Sequence, residues 1–453
     1  MPHKWRWAIL LVASYFFYMY WRPEYALLLL FSTGVDYWAA IRMHESQKVR
    51  RKLFLWISVA SNLSLLFSFK YLGFVNQALR DTFEVFDFSA TPDSIDILLP
   101  VGISFYTFQT LSYTLDVYRK RRVPERHFGI FALYVSFFPQ LVAGPIERST
   151  TLLPQFHERK SFHWQNIIDG GRLVAWGLFK KVILADTIGA YVNVVFAQPN
   201  QFNGLVLLLM LLGFSYQIYL DFSAYTDIAI GSARMMGYDL MANFNRPAMA
   251  RTIREFWSRW HISLTSWMFD YLYRPLAKSF RMNWHLNIII LFVLIGIWHG
   301  AGWGFVVFGL LHGLYYLISY YTLDILSVAE TKKKWQKRVL GQMGWAVTGA
   351  LLLSTAVFFR APDLPSALAY LERLVTHFDW SLATIKISTM DKFILATGLP
   401  VYLFIQWQPN YQPKAPLAGI RWWWIRWAIY YFIIFYLILF GQRGPEEFIY
   451  FQF

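Results

Sequence analysis

LNIIILFVLIGIWH at 286–299, closed by GAGWG at 300–304, decides what kind of protein this chain makes. A helix rises about 1.5 Å per residue, so this run reaches roughly 21 Å, short of the approximately 30 Å hydrocarbon slab of a bilayer. It is therefore expected to carry an imidazole, His299, to membrane depth, where Gly300, Gly302 and Gly304 turn the chain. The apolar run 302–322 must then return, because KKKWQKR at 332–338 is basic like the segment preceding 286. The two arms form a hairpin whose tip, His299-Gly300-Ala301-Gly302, lies below the outer surface at the bottom of a well.

The whole chain agrees with a membrane setting. Of 453 residues, 57% are hydrophobic and 15% charged, and the mean hydropathy is +0.35. These values exclude a soluble enzyme of this size and define a polytopic, all-α membrane protein. The net charge of +15 falls in clusters between apolar segments, as the positive-inside rule requires, so it orients helices and does not mark a nucleic-acid surface. There are no cysteines, which removes disulfides, thiolate metal sites and any acyl relay through a Cys thioester. MPHKWRW runs into the first apolar segment without a small-residue cleavage site, so that segment is expected to be an anchor.

Charge maps the remaining chain. Runs 7–21 and 25–41 make a helical hairpin around Arg22-Pro23-Glu24. KVRRK (48–52) and RKRR (119–122) face the cytoplasm, and an acidic loop, 76–96, lies between the crossings 53–69 and 97–116. Residues 128–145 are flanked by bases on both sides and broken by Pro139, Gly144 and Pro145, which fits a re-entrant element. Residues 173–196 leave the cytoplasm, and 205–236 form one long helix or two, interrupted by Asp221 and Asp227. Seven bases against two acids place 243–283 in the cytoplasm, where Trp257, Trp260, Leu264, Trp267, Met268 and Tyr271 recur at helical spacing. That pattern predicts one amphipathic helix with His261 on its apolar face. Crossings at 345–359, 393–407 and 427–441 complete about eleven transmembrane or re-entrant helices. With no repeat or linker, 1–453 is expected to be a single membrane-embedded domain, and 442–453 an aromatic tail facing the periplasm.

Ionisable groups inside a membrane are costly and are functional candidates. His299 and His261 lead, because imidazole moves protons near neutral pH; the other reading is a buried neutral ring bonded to a carbonyl. His312, in GLLHG, reads as structural. Asp221 and Asp227 are six apart, which suits capping or pairing with a buried base better than catalysis. His261, His299 and His312 lack zinc-site spacing, so no metal is expected. The terminal FIYFQF offers either an outer-leaflet anchor or, through Tyr450, a phenol as nucleophile or docking point.

Six stretches in order carry a resemblance: LPVGISFYTFQTLSYTLDVYRKR (99–121), FFPQLVAGPIER (137–148), YLDFSAYTDIAIG (219–231), FWSRWHISLTSWMFDYLY (256–273), IGIWHGAGW (295–303) and FIYFQF (448–453). Together the chain resembles the membrane-bound O-acyltransferase superfamily, nearest its bacterial alginate and peptidoglycan O-acetylation branch. After DYLY it reads RPLAKSFRMNW (274–284) where alginate-type members usually carry a Gly-Gly-Asn-Arg turn. The resemblance implies a multi-helix fold thinned at its centre, with cytoplasmic and external funnels approaching His299, and a second functional histidine at His261. It also implies transfer of an acyl group, expected to be acetyl, from a cytoplasmic thioester such as acetyl-CoA, with no permanently bound cofactor. The acyl group would pass outward across a bacterial inner membrane toward a polysaccharide, through a periplasmic hydrolase-like transferase, with Tyr450 as an acceptor by analogy with the D-alanyl transfer pathway. A transporter or lipid-linked glycan flippase without acyl chemistry is the alternative from a different class.

Overall fold

The computed structural model describes residues 3–20, 22–86, 99–279, 283–324, 333–441 and 448. Among them every regular element is helical, and six helices are long and apolar enough to cross a membrane: Pro23–Glu45, Lys48–Lys70, Gly204–Met235, Trp303–Thr322, Lys334–Arg360 and Trp423–Phe440. Trp284–His299, another expected crossing, is a shorter apolar helix. Tyr450 lies outside the described residues.

The chain forms two compact units, Met1–Ile168 with Ser232–Met241, and Asp169–Gly231 with Ala242–Phe453. In the first, α1 (His3–Met19), α2 (Ala26–Glu45), α3 (Lys48–Lys70), α4 (Leu72–Val85) and α5 (Ile103–Tyr118) precede a broken segment, α6 (Phe128–Ser136) and α7 (Phe138–Leu141), then α8 (Ser149–His157). The break falls at Phe137, before Pro139, because proline cannot continue a helix that needs its N–H. Part of the expected loop 76–96 is helical instead, as α4. Its apolar face (Leu72, Phe74, Val75, Leu79, Phe83) outweighs the acidic residues that suggested a loop. Where α2, α3 and α5 meet, Asp36 is fully buried and accepts from Ser58 Oγ at 2.5 Å and from Asn62 Nδ2 at 2.9 Å.

In the second unit, α9 (Trp164–Leu178) and α10 (Asp186–Ala197) are joined by a π-helical stretch, Phe179–Ala185. The widened turn leaves both Lys180 and Lys181 buried. α11 (Gly204–Met235) is a single helix of 32 residues, so Asp221 and Asp227 do not break it.

One expectation is corrected here. The amphipathic stretch around His261 is not continuous: α12 (Ile253–Arg259) and α13 (Ile262–Met268) are separated by Trp260 and His261. His261 takes a left-handed conformation, φ 43° and ψ 53°. Asn243 holds the break open: its carbonyl accepts from the Ile262 N–H at 2.9 Å, and its Oδ1 caps the Ser263 N–H at 3.1 Å. A further π-turn and α14 (Arg274–Ser279) follow.

The hairpin comes next, as expected: α15 (Trp284–His299) and α16 (Trp303–Ser319), turned at Gly300–Gly302. Its arms lie in near-backbone contact. A Cβ at Gly296 would fall on the Phe305 carbonyl oxygen, and one at Gly309 on that of Phe292. Gly309 and Gly313 are four apart and so share the face of α16 that packs on α15. Then follow α17 (Lys334–Arg360), α18 (Leu364–Thr376), α19 (Thr389–Gln406) and α20 (Trp423–Phe440).

Replacing Gly309 by Val should force the hairpin apart and lower stability by about 1–3 kcal/mol, as overpacking does. The thermal unfolding midpoint of detergent-solubilised protein should fall accordingly; an unchanged midpoint would show that the close approach is not needed.

Candidate active site

His299 is the last residue of α15 and is 3% exposed. Its ring meets Phe359 of α17 edge-on at 5.1 Å between centroids and Phe308 of α16 at 6.0 Å. Three helices therefore fix the imidazole: its own, its hairpin partner and α17.

This imidazole forms part of the wall of a cavity of about 560 Å³. α11 contributes Ser215, Tyr216 and Tyr219, α12 and its flank contribute Trp257 and Trp260, and α17 contributes Trp345 and Thr355. Among the described residues no charged side chain lines it, and the polar groups are few: hydroxyls, indoles and two imidazoles, His299 and His312. Such a lining is mostly apolar with a few polar groups, as small-molecule sites are.

His312 bridges two other helices. Trp257 Nε1 donates to its Nδ1 at 3.3 Å, so Nε2 carries the hydrogen and faces Thr355 Oγ1 at 3.0 Å. Thr355 in turn donates to the Leu352 carbonyl at 2.8 Å. The chain of bonds ties α12, α16 and α17 together.

His261 is not among the lining side chains. It is fully buried, edge-on to Phe222 at 4.7 Å, and 5.7 Å from the Trp298 ring, which neighbours His299. Lying outside the membrane-crossing helices, it has its pKa lowered by burial from 6.5 to about 3, which keeps the ring neutral. The structure thus brings His261 to the back of Trp298 and His299 to the cavity face. On the other side of His261, Phe448 packs its ring on Phe222 at 5.8 Å and on Tyr225 at 4.2 Å. The start of the aromatic tail is therefore seated next to the residue that touches His261.

Asp221 and Asp227 pair with bases. Lys180 Nζ lies 2.8 Å from Asp227 Oδ2, while Lys181 Nζ lies 2.7 Å from Asp186 Oδ1 and 3.1 Å from Asp221 Oδ1. Among the described residues no three His, Asp or Glu side chains converge as a metal site would require. Asn243, which sets the turn at His261, carries no local sequence signal, because it acts from eighteen residues upstream.

An all-helical, multi-pass membrane protein with a buried imidazole at a hairpin tip, on the wall of an uncharged cavity, is the class defined by these features. The chain belongs to the membrane-bound O-acyltransferase family, whose sequence model it matches over residues 127–359. That span holds the described lining residues of the cavity together with His261 and His299. It is 34% identical to the probable alginate O-acetylase of Pseudomonas aeruginosa, over 92% of this chain and 80% of that one. It is 33% identical to the peptidoglycan O-acetyltransferase of Helicobacter pylori, over 81% and 73% of the two chains. Similarity extends to the teichoic acid D-alanyltransferase of Bacillus subtilis, 30% identical over 47% and 57%. The protein is an acyltransferase of the membrane, and the alternative of a transporter or flippase without acyl chemistry gives way to that membership.

Removing one member of the Lys180–Asp227 pair leaves a charge buried alone. Asp227→Leu should destabilise by about 3–5 kcal/mol, whereas Asp227→Leu with Lys180→Met should restore most of the loss. Thermal unfolding of the three proteins in detergent checks this, and equal loss in single and double variants would refute the pairing.

Proposed function

We propose that His299 is the general base in transfer of an acetyl group from a thioester donor, such as acetyl-CoA, to a hydroxyl acceptor. The observation that carries this reading is the His299 imidazole on the wall of a cavity that no charged side chain lines among the described residues. As the acceptor oxygen attacks the thioester carbonyl, its proton passes to the imidazole; the C–S bond then breaks, and the leaving thiolate takes that proton from the imidazolium. The reaction is balanced, one O–H and one thioester giving one ester and one thiol. His261 acts as a positioning residue, holding Trp298 and, through it, the ring of His299.

The polymer is a cell-surface or secreted polysaccharide, a class supported by the alginate O-acetylase and peptidoglycan O-acetyltransferase relatives. Acetyl groups leave a bacterial inner membrane on the periplasmic side, where a hydrolase-like transferase receives them. Tyr450 is the acceptor or docking phenol on this chain, by analogy with the D-alanyl transfer relatives.

His299→Ala should lower acetyl transfer by about 10²–10⁴-fold, the usual worth of a general base. Membranes supplied with radiolabelled acetyl-CoA measure it, by thiol release and polymer acetylation together. A folded, inserted His299→Ala protein that still transfers would overturn the assignment. His261→Asn, whose side chain tolerates the left-handed turn, should lower the rate by less than His299→Ala.

Sidedness has its own test, because the chain has no cysteine. A single Glu372→Cys should react with an impermeant maleimide on intact cells, and Lys334→Cys only after permeabilisation. The reverse pattern would invert the proposed topology.

A further inference from the structure

A second pocket, of about 80 Å³, shares no lining residue with the cavity at His299. Asp169, Arg172 and Leu173 fall at i, i+3 and i+4 on α9, and Arg426 and Tyr430 at i and i+4 on α20, so each set occupies one helix face. The connection from α19 to α20 adds Lys414 and the short run Ala415–Ala418, closing the pocket between the two faces. The Arg172 guanidinium lies 5.1 Å from the centre of the Tyr430 ring, with its Nη1 3.5 Å from Asp169 Oδ1. Two guanidiniums and an ammonium thus surround a space holding one carboxylate, and among the described residues no acid pairs with Arg426.

The surroundings say at what depth this happens. Trp422, Trp423, Trp424 and Trp427, at the start of α20, are all exposed. Such a cluster marks the level of lipid headgroups, where an indole has an apolar body in the acyl region and a wet edge. A concave site at that level needs an occupant that is anionic, compact and rich in acceptors. Guanidinium forks match phosphate oxygens two at a time, an ammonium adds a point charge, and the Tyr430 hydroxyl is a further donor.

We propose that this pocket binds a phosphate ester at the membrane–water interface. The two sources of that chemistry are the headgroup of an anionic phospholipid and the phosphates of a soluble thioester donor. Asp169 sets a limit: it orients Arg172 and repels a highly charged ligand, so a single phosphate group fits better than a polyphosphate chain. None of these side chains lines the cavity at His299, so the phosphate site stands apart from the catalytic reading, and only its assignment to a soluble donor rests on the donor proposed above.

The test uses the full-length protein in dodecyl maltoside, a phosphate-free detergent, titrated separately with dihexanoyl phosphatidylglycerol and with coenzyme A. Arg426→Gln and Lys414→Gln should each weaken binding roughly tenfold, the loss of one charge-assisted hydrogen bond, while Arg50→Gln, an exposed base elsewhere, should not. Thermal unfolding of each variant without ligand establishes that it is folded. Binding of phosphatidylglycerol that depends on Arg426 and Lys414 identifies a lipid headgroup; the same dependence with coenzyme A identifies the soluble donor. If neither probe binds, or if both variants bind as tightly as the unsubstituted protein, the proposal is wrong.

Discussion

The close approach of α15 and α16 is the constraint on which the site depends. In a bilayer, helices gain little from excluding solvent, since lipid tails are as apolar as leucine. They hold together by dispersion at short range, and small residues permit that range. With Gly296 against the Phe305 carbonyl and Gly309 against that of Phe292, the two arms approach until backbone touches backbone. That contact lets so short a connection as Gly300–Gly302 close the hairpin, and it places His299 where Phe308 and Phe359 can clamp its ring. A looser hairpin would leave the same imidazole with a choice of rotamers.

Charge plays the complementary part. An unpaired carboxylate on a membrane helix would be pulled toward water or would bend its helix to find a partner. Asp221 and Asp227 do neither, because the π-turn between α9 and α10 turns two consecutive lysines inward to meet them. α11 can therefore remain straight enough to present Ser215, Tyr216 and Tyr219 to the cavity from a single element. The polar pairs are scaffolding for an apolar chamber.

What was legible in the chain beforehand follows from the range over which each feature is determined. The hairpin could be read because its causes are local: an apolar run of known length, a glycine turn and a basic anchor on each side. The interruption near Pro139 was equally local. The pairing of Asp221 and Asp227 with bases was open to inference from cost alone, though not the identity of Lys180 and Lys181, which lie some forty residues away. The break at His261 was not legible. Aromatic spacing there satisfies a continuous helix, and only Asn243, remote in sequence, shows that the helix is interrupted. A well at His299 was legible from the short hairpin, but its lining was not, since it is made by residues from five helices that share no pattern.

The left-handed turn at His261 has a meaning beyond geometry. For a side chain with a Cβ, that conformation is disfavoured by about 1–2 kcal/mol relative to the right-handed one, and glycine would adopt it without penalty. Backbone shape alone would thus be met more cheaply by another residue. A position that tolerates such strain while enclosing a full imidazole between Phe222 and Trp298 is defined by the ring and not by the bend. Turn and ring together support the indole of Trp298, whose other neighbour is the ring of His299.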